Sequence, residues 1–530
     1  MSNFNWAIDG SVAGVYLLVA LLAGLAVRKY VGRVEDFLVA GREMKLYLGI
    51  ASLAATEFGI ITCMYTAQAG YKYGFAGAVP GIAQFVAMLV IGWTGFCIKP
   101  LRESGAMTLP ELFEKKFGTF ARWLAGVVIV LGGLLNMGVF LKIGGEFLLI
   151  VTQVSFGGIE AKYAIMIMMG ILLLIVSLYT ILGGMLSVLI TDFLQFVVMS
   201  VGLIAVTIMI LIYVGWSDIV AAVEASPTAG FNPFTIDDLG WEFVLFQLVI
   251  QTAVTLTWQT VIARVLSAKD ARTGMKVYTR TSFYFVCRWM IPGLWGMAAL
   301  ATLGAGAFET LTPAQQEDPS LYAMPLFLST FVPIGLMGLL VAAMLAADMS
   351  TDSSYMLTWG SVIYNDILAP FRRNPTDQKR GLAINRLIVA VIGLYLFVFG
   401  LVYQIEGNVW DYLTLTGSIY LSSMSVLLIA CCYWNYANGW GAIFAIVGGA
   451  VVPVIYLTMQ KLPSTQMNEV ADAIGPYYSG LAAFAAAALG MILGSMIRTK
   501  NPPFSKFGNQ NDPGRGFPVL DAQAVDGGEK

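Results

Sequence analysis

Long apolar runs recur along almost the whole of this 530-residue chain. A helix needs about 20 mostly apolar residues to cross the hydrocarbon core of a bilayer. Thirteen segments meet that requirement and are predicted transmembrane helices: 11–27, 47–70, 75–98, 123–152, 161–182, 187–215, 240–263, 281–305, 326–360, 387–404, 409–432, 440–460 and 476–497. Charged residues make up 12% of the chain, about half their share in soluble proteins. We therefore expect an all-α, multi-pass membrane protein.

The basic residues predict how the chain crosses the membrane. Thirteen crossings that start outside place five basic regions on one side, and together they hold 25 of the 30 Lys and Arg residues: 28–45, 99–122, 264–280, 372–386 and 498–530. Cytoplasmic loops carry such an excess. The long loops predicted to lie outside, 216–239 and 306–325, contain acids but no Lys or Arg. We expect an N-terminus outside, a cytoplasmic C-terminus and a bacterial inner membrane.

Composition also narrows the function. The chain has no histidine, which removes most zinc, haem and Ser-His-Asp chemistry. No GxxxxGK[ST] run indicates ATP binding, and a net charge of −2 gives no reason to expect nucleic acid. No catalytic set can be assembled from the remaining residues, and no obligatory protein partner is indicated. An enzyme is therefore not expected.

Charged residues inside the predicted helices are the first candidates for a site, because each costs at least about 2.5–3.5 kcal/mol on insertion scales. They are Glu57, Lys142, Glu146, Asp192, Arg288, Asp348 and Asp352. A residue near a helix end can extend its charge to the interface instead, and for Asp192 and Arg288 that alternative stays open.

Two predicted helices also carry polar clusters that indicate a break. The second holds Thr56, Glu57, Gly59 and Thr62 within two turns, and the seventh holds Thr-Trp-Gln-Thr at 257–260. Unwound segments at mid-membrane offer carbonyls to cations and N–H groups to anionic substrate atoms. A polar stripe that joins helices is the alternative for the seventh helix.

The ninth helix contains the segment LAADMSTDSSYML. Its helical spacing places Ala347, Ser350 and Ser354 on one face, and hydroxyl and carbonyl oxygens suit a hard cation. Asp348 and Asp352 lie on another face as i, i+4 neighbours. They repel each other unless one is protonated or a cation lies nearby.

At these segments the sequence resembles the sodium:solute symporter family, which includes bacterial sodium/galactose, sodium/sialic acid and sodium/proline transporters. LAADMSTDSS is similar to the family's Ala-Ala-x-x-Ser-Ser/Thr segment, and GGMLSVLITDFLQ (183–195) to its Gly-Gly…Thr-Asp-x-x-Gln motif. QTVIARVLSAK (259–269) and ASLAATEFGIITCMYTAQAGYKYGFAG (51–77) also align with it. The resemblance implies the inverted five-plus-five helical repeat of the leucine-transporter type.

The same resemblance divides the chain into four parts. A leading helix and cytoplasmic loop occupy 1–46, the inverted-repeat core 47–432, and two C-terminal transmembrane helices 433–500. The tail 501–530 is polar and rich in Pro and Gly, which predicts a disordered cytoplasmic segment.

Sodium is the coupling ion that the resemblance implies. Carried over by position, the common sodium site falls on the carbonyls of Ala55, Phe58 and Ala347 and the hydroxyls of Ser350 and Thr351. A second sodium site, present in some members, falls on Asp192, Ser350, Ser353 and Ser354. All four of these residues carry oxygen ligands, so we expect two sodium ions per cycle.

The substrate is less defined by the resemblance. Three positions that hold polar residues in the sugar transporters are Thr62, Gly81 and Trp258 here, which disfavours a sugar. Lys142 has no counterpart: either it pairs with Glu146 one turn later, or it receives a substrate carboxylate. The second alternative favours an amino acid or an organic anion. Substrate contacts are expected at Thr62, Lys142, Trp258, Gln259 and Glu57, although Glu57 can instead serve the ion.

The expected function is sodium-coupled import of a small organic solute by alternating access. The alternatives are a sensor or receptor built on a symporter body, and a channel. A receptor needs an effector domain, for which the tail is too short, and a channel needs a continuous polar pore. Any proton-linked step is expected at Glu57, Asp348 or Asp352.

Overall fold

The computed structural model describes residues 2–154, 159, 161–313, 315–371, 377–403, 408–461 and 465–497. Within these ranges there are twenty α-helices and no strand. The first ten are α1 Asp9–Val27, α2 Val34–Val39, α3 Leu46–Thr56, α4 Ile60–Tyr73, α5 Val79–Thr94, α6 Ile98–Glu103, α7 Leu109–Phe117, α8 Thr119–Met137, α9 Phe140–Thr152 and α10 Ala161–Tyr213. The others are α11 Trp216–Ala225, α12 Gly240–Thr257, α13 Gln259–Ser267, α14 Ala271–Thr302, α15 Ala323–Phe331, α16 Leu336–Val362, α17 Gln378–Val402, α18 Val409–Tyr433, α19 Gly439–Lys461 and α20 Thr465–Ser495.

The described helices confirm an all-α membrane protein. Eleven helical stretches are long and apolar enough to cross a membrane. Two of them, Ile60–Thr94 and Tyr163–Tyr213, contain 35 and 51 residues. At 1.5 Å per residue both are longer than the core of about 30 Å, and Tyr163–Tyr213, at about 77 Å, has the length for two crossings. The count of thirteen stays a prediction, and the predicted disordered tail at 501–530 lies outside the described residues.

The breaks expected in the second and seventh helices are both present. Between α3 and α4, Glu57 and Gly59 leave helical geometry, with ψ angles of 3° and 172°. Between α12 and α13, Trp258 alone is extended, with φ −63° and ψ 121°. Non-helical backbone at membrane depth is tolerated only where protein or a cavity surrounds it. Both breaks therefore indicate a buried site.

Other helix boundaries differ from the prediction. The segment predicted as one helix at 123–152 is divided into α8 and α9, and the segment 326–360 into α15 and α16. The predicted helices 161–182 and 187–215 are joined in α10, which bends at Gly184 (φ 53°, ψ −149°). A Cβ at Gly184 would lie 2.6 Å from the Phe37 ring. Apolar runs in the sequence indicate burial in lipid or protein, but they do not indicate where a helix bends or divides.

The helix α16 lies at the centre of the protein. In its most apolar stretch 89% of the residues are buried, against 28% in the corresponding stretch of α10. It packs against α1, α3, α8, α9, α10 and α17. The polar residues of α16 therefore face other helices rather than lipid.

The helices α4 and α14 approach each other through glycines. A Cβ at Gly70 would overlap the carbonyl oxygen of Gly293, and a Cβ at Gly296 would overlap that of Ala67. Small residues at such contacts let helix backbones approach closely in membranes. This contact holds α4, which follows the break at Glu57–Gly59, against α14.

We expect Gly296→Ala to separate α4 from α14, because the added methyl group meets backbone and not a movable side chain. The free energy of unfolding should fall by about 3 kcal/mol, the upper end for overpacking. Thermal unfolding of the purified protein measures this. Gly14→Ala is the matched control, since Gly14 is exposed within α1 and nothing lies within 4 Å of its Cβ position. Equal stabilities of the two variants would contradict the role of the contact.

Candidate functional site

The two broken helices and α16 meet at one junction. The Gly59 backbone lies against Thr351, so that a Cβ on Gly59 would be 2.6 Å from Thr351 Oγ1. The Thr351 hydroxyl donates to the Thr56 carbonyl at 2.9 Å. On the other side, α13 packs against both α3 and α16. The unwound segments are therefore held by side chains of α16.

The residues of the first predicted sodium site are all buried near this junction: Ala55, Phe58, Ala347, Ser350 and Thr351. The Phe58 N–H donates to the Ala55 carbonyl at 3.2 Å at the end of α3. Thr351 joins that end of α3 to α16, and Ala347 lies one turn before Thr351. Neutral oxygens that converge in this way suit a hard monovalent cation.

The residues of the predicted second sodium site are all buried, and their oxygens have hydrogen-bond partners. The Ser350 hydroxyl donates to Asp192 Oδ1 at 2.6 Å. The Ser353 hydroxyl donates to the Ser350 carbonyl at 3.2 Å within α16. The Ser354 hydroxyl accepts a hydrogen bond of 2.6 Å from Arg264. Arg264 thus enters a site that was predicted to hold an ion.

The Arg264 side chain is fully buried and pairs with Asp192. Its Nη2 lies 3.0 Å from Asp192 Oδ2, and both side chains have 0% exposure. The same Nη2 donates to Thr56 Oγ1 at 2.5 Å, and Nε donates to Ser52 Oγ at 3.0 Å. The prediction that Arg264 belongs to a cytoplasmic basic loop is therefore wrong, because α13 continues past it to Ser267.

A central cavity lies beside the two breaks. Three of the predicted substrate contacts line it, namely Glu57, Thr62 and Trp258. The cavity has a volume of about 60 Å³, so it suits a compact solute. The Trp258 indole donates to the Tyr355 hydroxyl at 3.0 Å, which fixes the aromatic wall of the cavity.

Arg288 brings a positive charge into this cavity. Its Nη2 donates to the Tyr65 hydroxyl at 2.5 Å, and Nη1 lies 3.4 Å from Glu57 Oε2. Its buried Nε has no hydrogen-bond partner among the described residues. The other Glu57 oxygen accepts from Thr260 at 2.5 Å. Arg288 therefore retains donor capacity that its protein neighbours do not use.

Two predicted substrate contacts lie elsewhere. The Lys142 amine donates to the Tyr403 carbonyl at 3.2 Å, and Lys142 does not line the cavity. Glu146, its expected partner, accepts instead from the Tyr322 hydroxyl at 2.8 Å. Gln259 borders a separate small cavity and does not line the central one.

Asp348 and Asp352 are buried apart from both sites. Asp348 lies against α9, where a Cβ on Gly144 would be 2.8 Å from its Oδ1. Asp348 Oδ2 and both Asp352 oxygens have no hydrogen-bond partner among the described residues. Arg288 and Lys142, the two cations among the candidate charged residues, have other hydrogen-bond acceptors.

Comparison with known proteins identifies the family. The sodium:solute symporter family matches residues 37–449. The chain belongs to the sodium:solute symporter family. Its relatives include the sodium/glucose cotransporter 4 of Danio rerio, 26% identical over 494 residues with 87% of this chain and 73% of that protein covered. The sodium/proline symporter of Staphylococcus aureus (strain bovine RF122 / ET3-1) is 25% identical over 505 residues, covering 88% and 89%.

Solved structures show the same fold. A Na⁺-coupled sialic acid symporter in a substrate-bound outward-open state has a TM-score of 0.75 at 18% identity, over 93% of this chain and 98% of the other. MhsT in complex with L-phenylalanine has a TM-score of 0.52 at 15% identity, over 86% and 98%. The predicted family and the leucine-transporter type of fold are confirmed. Membership supports sodium-coupled symport by a multi-pass membrane transporter, which is not an enzyme.

The symporter contains site residues that the sequence reasoning missed. Tyr65 and the amides of Gln84, Asn136 and Gln251 line the cavity, and Arg264 pairs with Asp192 of the predicted second ion site. The segment QTVIARVLSAK did contain Arg264, and its position six residues after the break at Trp258 was the available signal. Only the folded chain shows Asp192 beside it, since the two residues are 72 positions apart.

We expect Arg264 and Asp192 to depend on each other for stability. In sodium-free buffer, Arg264→Gln leaves a buried carboxylate without its counter-charge, and Asp192→Asn leaves a buried guanidinium. Each should lower the free energy of unfolding by about 3–5 kcal/mol. The double variant should lose clearly less than the sum, because neither charge remains. Thermal unfolding of all four proteins measures the coupling, and additive losses would show that the pair is not coupled.

Proposed function

We propose that this symporter imports a small solute bearing a carboxylate, an amino acid or an organic anion, together with sodium. Arg288 carries the proposal: it is a buried cation in the central cavity with a donor that no described protein atom accepts. A guanidinium binds a carboxylate through two parallel hydrogen bonds. It thus takes the role that the sequence suggested for Lys142.

The surroundings of Arg288 support a charged substrate over a neutral one. Its hydrogen bond to Glu57 is long, 3.4 Å, so a substrate carboxylate can form a shorter hydrogen bond to the same guanidinium. Glu57 remains available to an amino group of the same substrate. Aromatic rings enclose the position, with Tyr65 4.9 Å from Trp410 between centroids. Exclusion of water strengthens such charge pairing.

The relatives are compatible with two substrate classes. One is named a sodium/proline symporter and another a sodium/glucose cotransporter, at nearly equal identity. Proline carries a carboxylate and glucose carries no charge. A neutral sugar offers no negative charge to pair with a buried arginine. The cavity chemistry therefore favours a substrate with a carboxylate.

Alternating access provides the mechanism. Sodium at the first site would bind the carbonyls at the end of α3 and the hydroxyls of α16, which fixes the unwound segment Glu57–Gly59 against Thr351. That segment carries Glu57 and leads to Thr62, both in the cavity lining, so ion binding orders the substrate site. The inverted-repeat core at 47–432 then exposes the site to the other side. The loop charges support an N-terminus outside, and a bacterial inner membrane stays a prediction.

Removal of the Arg288 charge tests substrate binding. Arg288→Gln should weaken the affinity for the carboxylate substrate roughly 10- to 100-fold, because a hydrogen-bonded charge is lost. A thermal-shift screen of amino acids, monocarboxylates and sugars, with and without sodium, first identifies the ligand. Lys142→Gln is the matched variant, since its amine lies outside the cavity. The opposite ranking of the two variants, or a sugar as the stabilising ligand, would refute the proposed class.

Removal of the Thr351 hydroxyl tests the ion site. Thr351→Ala should raise the sodium concentration for half-maximal uptake roughly tenfold, through the loss of one oxygen ligand. Ser361→Ala is the control on the same helix, because its hydroxyl donates to the Thr358 carbonyl at 2.7 Å, away from the junction. An unchanged sodium dependence in Thr351→Ala would place the ion elsewhere.

Liposome counterflow separates the symporter from the two alternatives. A symporter exchanges internal unlabelled substrate for external labelled substrate and accumulates the label transiently. A channel would equilibrate the label without accumulation, and a receptor would bind the ligand without flux. Either result would overturn the proposed transport cycle.

A further inference from the structure

We propose that Arg264 takes the place of the second sodium ion, so that the cycle couples to one sodium instead of two. The inference rests on the proposed sodium-coupled uptake. Asp192, Ser350, Ser353 and Ser354 would form the second site by position, and the Arg264 guanidinium lies among them. The charge that an ion would bring is already supplied by the chain.

The guanidinium donates to two of the four predicted ion ligands, Asp192 and Ser354. All three of its nitrogens donate: Nη2 to Asp192, Ser354 and Thr56, Nε to Ser52, and Nη1 to the Thr260 carbonyl at 3.2 Å. Asp192 Oδ2 accepts from Ser52 at 2.5 Å in addition to Arg264. The carboxylate and one of the three hydroxyls of the predicted site thus already accept from donors of the protein itself.

Electrostatics excludes a sodium ion beside Arg264 in this arrangement. Asp192 supplies a single negative charge, and Arg264 neutralises it at 3.0 Å with both side chains at 0% exposure. A second cation among the same oxygens would face the guanidinium without water to screen it, where like charges repel strongly. The first site differs in that none of its predicted ligands accepts a hydrogen bond from Arg264, whose acceptors are Ser52, Thr56, Asp192, Thr260 and Ser354.

The position of Arg264 explains why the charge stays in place. Arg264 lies on α13, directly after the break of the seventh predicted helix, and its partners lie on α3, α10 and α16. A mobile ion would leave these four helices during every cycle, whereas an arginine does not leave. With one sodium per cycle and a zwitterionic substrate, one net charge crosses, so the membrane potential contributes roughly fifty-fold accumulation per 100 mV.

Equilibrium binding of ²²Na⁺ to the purified full-length protein tests the proposal without knowledge of the substrate. The wild type should bind one sodium ion. Arg264→Gln leaves Asp192 and Ser354 without the guanidinium and should bind a second ion. Its apparent stability should then rise about twice as steeply with the logarithm of the sodium concentration. Arg264→Gln/Asp192→Asn should return to one ion, because the carboxylate is gone.

Two further variants serve as controls. Arg280→Gln removes an exposed arginine of α14 and should leave one ion bound. Asp192→Asn alone should also bind one ion. This variant keeps hydrogen-bond acceptors for Arg264, so it can be measured even if Arg264→Gln does not fold. Thr351→Ala should weaken the remaining ion and so locate it at the first site.

The outcomes separate this inference from the proposed function. Two ions bound by the wild type, reduced to one by Asp192→Asn, would overturn the inference and leave sodium coupling intact. Failure of a folded Arg264→Gln variant to bind a second ion would overturn it as well. Absence of sodium binding in every protein would overturn the proposed function, and the inference with it.

Discussion

The buried pair of Arg264 and Asp192 holds together the helices that form the candidate site. It joins both broken helices to α10 and α16 in a region from which water is excluded. Buried charges are costly unless each has a counter-charge and hydrogen bonds, and here Ser52, Thr56, Ser350 and Ser354 supply those bonds. The irregular backbone at Glu57–Gly59 and at Trp258 can exist at this depth because the network surrounds it.

Much of the fold could be predicted because its causes are local. Apolar runs gave the helices, and clusters of polar residues gave the breaks near Glu57 and Trp258. The bend at Gly184 and the division into α8 and α9 depend on neighbouring helices, which a run of apolar letters does not describe. The hydroxyls of α16 were identified from their spacing, which is a property of one helix.

The candidate site was less predictable for the same reason. Arg264 follows an apolar segment, as a cytoplasmic basic residue does, and only the position of Asp192 on another helix distinguishes the two cases. Lys142 and Arg288 are both cations within apolar segments, yet one bonds a backbone carbonyl and the other enters the cavity. Side-chain direction within a bundle is a tertiary property. The sequence indicated the residue types, and the packing assigned them.

The glycine contact between α4 and α14 has a consequence for selectivity. Backbones that touch at Gly70 and Gly296 cannot slide past each other without collision, so the two helices travel as one rigid body. Arg288 is on α14, and Tyr65 and Thr62 are on α4. In the proposed cycle the groups that recognise the substrate therefore keep their mutual geometry while the exits open and close around them. Selectivity would then be the same from either side of the membrane, and release would depend on loss of the ion.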